Sequence, residues 1–208
     1  MKVRCPVSSL RLFISLPLRP EVKQTLLGVQ KRLPSPFFKP LPKENFHLTL
    51  AFLGDTRVED IPALERILDE IAARTSAFPC ALSGLGAFPN PWEPRVVWVG
   101  IDVGSKESGG VSDALREQLR KAKVAFDTKP FRPHITIAYA RKSLSRMELR
   151  EAGEEFSKLV KEKEGFSRLK FSMDEVALVK SELRPEGAIH TPIHIARFQG
   201  ADTYEHKK

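Results

Sequence analysis

Apolar residues recur along this chain with two periods. Arg11–Leu18 (RLFISLPL) is a nearly unbroken apolar run closed by Pro17 and Pro20, which predicts a buried strand. Glu21–Leu33 places Val22, Leu26, Val29 and Leu33 three or four apart, the spacing of a helix with one buried stripe. Pro34, Pro36, Pro40 and Pro42 then mark a loop, and His47–Leu53 (HLTLAFL) predicts a second strand. Thr56 and Glu59 have the spacing of a capping box and predict a helix start, with Val58, Ile61, Leu64, Ile67, Leu68 and Ile71 facing inward.

The pattern then repeats. Phe78–Phe88 and Arg95–Asp102 predict strands on either side of a turn-rich stretch, Pro89 to Pro94. Ser108-Gly109-Gly110 reads as a linker into a helix carrying Val111, Leu115 and Leu119. His134–Ala140 (HITIAYA) is a strand, and Ser145 with Glu148 is a second capping box, ahead of Ala152, Phe156, Leu159 and Val160. Leu169–Lys180 and His190–Phe198 are strands joined by the turn Arg184-Pro185-Glu186-Gly187. This alternation implies an α+β fold of two related lobes, each a small sheet with helices outside, meeting at a cleft. Residues 1–208 are expected to form a single bilobal domain, with residues 201–208 a flexible tail.

Composition narrows the classes. Of 208 residues, 41% are apolar and 29% charged, ordinary for a globular protein and unlike a disordered one. Cys5 and Cys80 stand far apart with no CxxC partner, which argues against a disulfide framework or structural zinc and for a reducing compartment. Met1–Leu10 has no apolar core of a leader, and no stretch approaches the roughly 18 apolar residues of a membrane span, so a cytoplasmic protein without membrane contact is expected. The net charge of +8 suits a polyanionic partner, and equally a soluble basic surface.

The chemistry lies in a repeat. His47-Leu48-Thr49-Leu50-Ala51-Phe52 and His134-Ile135-Thr136-Ile137-Ala138-Tyr139 share the pattern His–aliphatic–Thr–aliphatic–Ala–aromatic, and each precedes a capped helix. Strand alternation puts Leu48, Leu50 and Phe52, and likewise Ile135, Ile137 and Tyr139, on the buried face. It leaves His47, Thr49 and Ala51, and His134, Thr136 and Ala138, on the other, where the small alanines leave room for a ligand. A rough two-fold axis would bring both polar pairs to one space. Two imidazoles titrating near neutrality can divide into a general acid and a general base without a metal. Two threonine hydroxyls can donate to phosphate oxygens. A cyclic phosphodiester fits that set of groups.

These paired His-x-Thr motifs resemble those of the two-histidine (2H) phosphoesterase superfamily, and within it the RNA 2′,3′-cyclic phosphodiesterases, also called 2′-5′ RNA ligases. The resemblance covers nearly the whole chain, through Arg11–Leu18, Pro42–Gly54 (PKENFHLTLAFLG), Leu85–Val99 (LGAFPNPWEPRVVWV), Phe131–Ala138 (FRPHITIA) and Glu175–Leu183 (EVALVKSEL). It implies two antiparallel sheets around a basic cleft. It further implies hydrolysis of a terminal 2′,3′-cyclic phosphate to a 2′-phosphate without metal, cofactor or ATP, and reverse joining of RNA ends through a 2′-5′ linkage. By the same analogy His47 is the general acid on the 3′ leaving oxygen, His134 the base that activates water, and Thr49 and Thr136 the phosphate holders. The partner is RNA with cyclic phosphate ends, tRNA fragments among them, met by a monomer. Where family members often carry an arginine after the second motif, this chain has Tyr139, and its nearest arginine, Arg141, is expected to point away.

Aromatics interleaved with cations supply candidate RNA contacts. Arg132, Phe131 and Lys43 are taken as the candidates, Phe46 and Phe88 as core, and Phe37 and Phe38 are left open. His190 and His194, four apart, are expected to share a strand face and to be structural, since no further ligands stand at metal spacing. No Walker loop, Gly-x-Ser-x-Gly or Cys–His signature is present. The competing readings are an RNA-binding module with a vestigial site and a phosphodiesterase for small cyclic nucleotides.

Overall fold

The computed structural model of the chain describes residues 8–161 and 169–201. The first apolar run is strand β1 (Ser9–Pro17), and it leads directly into helix α1 (Pro20–Gln30). Pro20 occupies the first turn of α1, where its missing N–H costs nothing. The proline-rich stretch contains β2 (Phe38–Pro40) and a 3-10 turn over Lys43–Asn45. Then follow β3 (His47–Arg57), α2 (Ile61–Ala72), β4 (Phe78–Phe88), β5 (Val96–Ile101) and α3 (Ser105–Lys121). The second half holds β6 (His134–Ala140), α4 (Arg146–Lys161), β7 (Lys170–Met173), β8 (Glu175–Arg184) and β9 (Gly187–Arg197).

The strands follow one curled path, β7-β4-β5-β6-β3-β1-β8-β9, with β2 beside β6 and every pairing between these strands antiparallel. At the middle of the path β3 and β6 touch through a single pair, Leu48 opposite Ile135. The path therefore divides into two halves, each carrying one His-x-Thr motif at the division. These halves are the two expected sheets. The stripes Val22/Leu26/Val29, Leu64/Ile67/Leu68/Ile71, Val111/Leu115/Leu119 and Ala152/Phe156 are all buried in one contiguous core with the sheet. Burial of this kind, at about 25 cal/mol per Å² of apolar surface, is what holds the helices against the strands.

Several elements differ from expectation. Thr56 does not cap α2: β3 runs on to Arg57 because Thr56 pairs with Leu10 of β1, and its hydroxyl donates to the Gly54 carbonyl. A 3-10 turn over Val58–Asp60 intervenes, braced by Arg57 bidentate on Asp60 at 2.9 and 2.8 Å. The second capping box forms: Ser145 N–H donates to Glu148 Oε2 at 2.8 Å and Glu148 N–H to Ser145 Oγ at 3.3 Å. Gly109 and Gly110 lie inside α3, not in a linker. The buried stripe of α3, Ser108, Val111, Ser112, Leu115 and Leu119, overrides the weak helix propensity of the glycine pair.

The single strand expected over Leu169–Lys180 breaks at Asp174, where β7 leaves β4 and β8 joins β1. Asp174 is held there by Arg19, Nη2 to Oδ2 at 2.5 Å. Cys80 is buried on β4, and burial pushes its thiol up to about 12. Cys5 and residues 202–208 of the expected tail lie outside the described residues. No helix among the described residues is long and apolar enough to cross a membrane.

Candidate active site

Strict alternation fails in both motif strands, and in the same place. Ile14 and Ser15 of β1 face Ala51 and Thr49 of β3, so Leu50 is an extra residue. Val97 and Trp98 of β5 face Ala138 and Thr136 of β6, so Ile137 is the extra one. A bulge at this position turns the strand over. Leu50 with Ala51, and Ile137 with Ala138, are consecutively buried. Phe52 and Tyr139, expected in the core, emerge instead beside the histidines, 50% and 47% exposed. Ala138 lines neither ligand cavity and the buried Ala51 reaches only the wall of the second, whereas the two aromatics line both.

The carbonyl at each bulge is met by a helix side chain, that of Ile137 in addition to the Leu41 N–H at 3.0 Å. The buried Ser112 hydroxyl of α3 donates to the Leu50 carbonyl at 3.3 Å. The buried Gln30 amide of α1 donates to the Ile137 carbonyl at 2.6 Å and to Leu41 O at 2.8 Å. The pseudo-symmetry of the lobes thus extends to the helix side chains behind the motifs.

The histidines are anchored alike. His47 Nδ1–H donates to the Asn45 carbonyl at 2.7 Å, and His134 Nδ1–H to the Arg132 carbonyl at 2.6 Å. A carbonyl can only accept, so this nitrogen carries the proton and the neutral ring keeps a bare Nε2. Thr49 Oγ1 lies 3.0 Å from His47 Nε2 and donates to it. The rings are fixed sideways by aromatics. His47 stacks on Phe13 with centroids 4.6 Å apart, and His134 meets the Phe88 edge at 5.0 Å and Trp98 at 6.1 Å. Trp98 can lie there because it crosses its strand partner Gly86, where any Cβ would collide with the indole. Burial, then neighbouring His190, hold His47 down to about 3, and burial lowers His134 as well. Both imidazoles are therefore neutral at neutral pH.

His47, Thr49, His134 and Thr136 line one cavity of about 410 Å³, together with Phe52, Tyr139, Arg11 and His190. A second cavity of about 570 Å³ adjoins it on the His134 side and shares Thr49, Phe52, His134, Thr136 and Tyr139. Its outer wall carries Arg116, Lys129, Phe131 and Arg132. Of the candidate RNA contacts, Phe131 and Arg132 line this cavity, whereas Lys43 is exposed on its 3-10 turn and lines neither. Arg141 also lines neither, and its N–H is spent on the Phe37 carbonyl. Phe38 and Phe46 are core, but Phe88, also taken as core, is on the cavity wall.

A match to the family model of the 2′-5′ RNA ligase superfamily spans residues 18–185. The chain belongs to that superfamily. Among its relatives in it are proteins named RNA 2′,3′-cyclic phosphodiesterase. One from Thermus thermophilus is 31% identical over 92% of this chain and 91% of its own length, and one from Archaeoglobus fulgidus is 27% identical over 89% and 99%. A solved structure of the Thermus thermophilus protein TT0787 aligns with a TM-score of 0.75 at 28% identity, over 92% of this chain and all of that one. LigT of Escherichia coli in complex with 3′-AMP shares the fold with a TM-score of 0.72 at 24% identity, over 92% and 99%.

Two further residues adjoin the motif pair: Asn45, which sequence reasoning passed over, and His190, which it took as structural. Asn45 is buried beside His47; its carbonyl holds the imidazole while its side-chain amide donates to Ala188 O of β9 at 2.8 Å. His190 of β9 stands edge-on to His47, centroids 5.3 Å apart. It does not share a face with His194, whose Nε2 bonds Asp69 of α2 at 2.8 Å. The pairing of β8 with β9 skips Ile193, and that bulge turns the two histidines to opposite sides. Asn45, polar and next to the buried Phe46 in the run Glu44-Asn45-Phe46-His47, gave only a faint signal. His190 carried none that alternation could read.

Proposed function

We propose that this superfamily member hydrolyses the 2′,3′-cyclic phosphate at the end of an RNA to a 2′-phosphate by metal-independent acid–base catalysis between His47 and His134. The observation that carries this reading is the pair of Nδ1-anchored imidazoles on one cavity, each followed two residues later by a threonine hydroxyl. The bare Nε2 of His134 removes a proton from water as its oxygen bonds to phosphorus. The bond from phosphorus to O3′ breaks, and His47, protonated at Nε2, delivers that proton to the departing oxygen. Thr49 and Thr136 donate to the non-bridging oxygens.

A cation on His47 is unfavourable among its protein neighbours alone, where burial holds it down to about 3. The phosphodiester anion supplies the opposite charge that raises it. Acid and base therefore become distinct only once substrate is bound. If the 5′-hydroxyl of a second RNA takes the place of water, the same proton transfers yield a 2′-5′ linkage. The strained ring drives either reaction, so ATP has no role. A monomer contains the whole arrangement, and tRNA fragments with cyclic ends are among its substrates.

The test is purified protein with a 2′,3′-cyclic-phosphate oligonucleotide in EDTA. A 2′-phosphate product is expected, with a bell-shaped pH profile of kcat/KM. His47→Ala or His134→Ala should each lower kcat by about 10²–10⁴-fold. Absence of product from the wild-type protein, or full activity in either variant, sinks the reading.

A further inference from the structure

His190 is the third imidazole on the wall of the cavity. It lines that space beside His47, and its ring packs edge-on against both Phe13, 4.9 Å between centroids, and His47, 5.3 Å. Its Nδ1 is fully buried without a hydrogen-bond partner. A buried N–H left unpaired costs more than a buried lone pair, because the acceptor has less hydration to lose. The neutral ring therefore keeps Nδ1 bare and carries its proton on Nε2. Among the described residues, that nitrogen has no protein hydrogen bond, and the ring borders this cavity as well as a smaller one beside Lys23 and Glu44. Burial lowers the His190 pKa in agreement with a neutral ring. Among the described residues, no three His, Cys, Asp or Glu side chains are placed to share a metal ion, so the three imidazoles are not a metal cage.

The ring is also held in register with His47. Asn45 receives His47 Nδ1–H on its carbonyl and donates its amide to Ala188 O, two residues before His190 on β9. One buried residue thus sets the spacing of both rings. The β9 backbone is fixed on its other side by the pair Ser181 with His190 on β8. A donor so positioned, beside a residue that must hold a proton, is not accounted for by packing alone: an aromatic ring would fill the same place without an orphaned nitrogen.

We infer that His190 is a substrate-contacting residue, whose Nε2–H donates to the phosphate oxygen on the His47 side of the bound ligand. The inference rests on the proposed phosphodiesterase reading and adds a third recognition group to it. His134 has no counterpart of His190, since Trp98 and Phe88 occupy the space beside it. The site is consequently asymmetric, with an additional donor on the acid side.

Three variants separate contact from packing. His190→Phe keeps the ring and its stacking but removes the donor. His190→Gln carries an amide N–H to about the position of Nε2, and His190→Asn only to that of Nδ1. Turnover of a 2′,3′-cyclic-phosphate oligonucleotide and the Kd for inorganic phosphate are both measured, with thermal unfolding midpoints as a check on folding. His190→Phe should lose about 10- to 100-fold in kcat/KM and weaken phosphate binding, as expected for one hydrogen bond to a charged group. His190→Gln should recover most of both; His190→Asn should not. If wild-type protein turns over and His190→Phe matches it in rate and phosphate Kd, the inference fails while the phosphodiesterase reading stands. Equal losses in all three variants would make the ring a packing element only and also overturn it. If the wild-type protein gives no turnover, the phosphodiesterase reading fails, and the phosphate Kd of His190→Phe alone decides whether the donor contacts the anion.

Discussion

His47 is the residue on which folding and chemistry compete. Its ring is packed between Phe13 and His190, with both nitrogens bonded to neutral partners. Burial and the neighbouring His190 hold it down to about 3, against an ordinary value of 6.5. In the unfolded chain the imidazole binds a proton as pH falls through 6.5; in the folded protein it resists until about 3. The unfolded state thus gains protons that the native state does not, so the contribution of neutral His47 is complete above pH 6.5 and lost as the solution is acidified toward 3. His134 and His190, lowered in the same direction, add to the slope. The loss attributable to His47 is on the order of a few kcal/mol across that window. Urea unfolding of wild type and His47→Gln between about pH 7.5 and 4.5, on either side of the ordinary imidazole value, checks it. The stability of wild type relative to the variant should shrink steadily with acidification. A difference independent of pH would mean that His47 titrates alike in both states.

Among the elements, β3 and β6 show what a sequence discloses and what it withholds. The repeat itself, its strands, the helices near it and the polar pairs His47/Thr49 and His134/Thr136 were all legible, because period and residue chemistry are local properties. The fate of Phe52, Tyr139, Ala51 and Ala138 was not. It depends on bulges at Leu50 and Ile137, whose carbonyls accept from Ser112 and from Gln30 (the latter beside the Leu41 N–H), 62 and 107 residues away along the chain. His190 was hidden for the same reason, by the bulge at Ile193. The capping boxes show a related contrast. Ser145 is free of any ladder and caps α4, whereas Thr56 is claimed by β1 and does not cap α2. If the bulge in β6 depends on Gln30, then Gln30→Met, which fills the same volume without a donor, should cost about 1–3 kcal/mol by urea unfolding. It should also lower kcat/KM through Thr136 and Tyr139. Gln24→Met on the exposed side of the same helix is the comparison. Equal effects of the two substitutions would show that the amide is dispensable.

At the scale of the whole molecule, part of the excess of cations lines the two cavities. The smaller cavity, where the imidazoles converge, is lined by one arginine, Arg11, and the aspartate Asp127. The larger one beyond His134 shares Asp127, which pairs with Lys129 at 3.1 Å, and carries Arg116 and Arg132 beside Phe88, Phe131 and Tyr139. Arg116 is braced there by donating to the Lys129 carbonyl at 2.8 Å. Cations interleaved with aromatic faces suit a single strand whose backbone is drawn in by charge and whose bases stack. On the proposed reading a cyclic mononucleotide would occupy the first cavity and have no further phosphate to offer the second; an oligonucleotide would. The two substrates should therefore respond differently to salt. For single strands each neutralised phosphate contributes a slope of about −0.7 in log affinity against log salt. A plot of log kcat/KM against log salt should be steeper for the cyclic-ended oligonucleotide than for 2′,3′-cyclic AMP by at least about one such step. Arg132→Ala should remove about one step from the oligonucleotide and leave the mononucleotide slope as it was. Parallel lines for the two substrates would mean that recognition stops at the terminal nucleotide, and that the basic wall serves solubility alone.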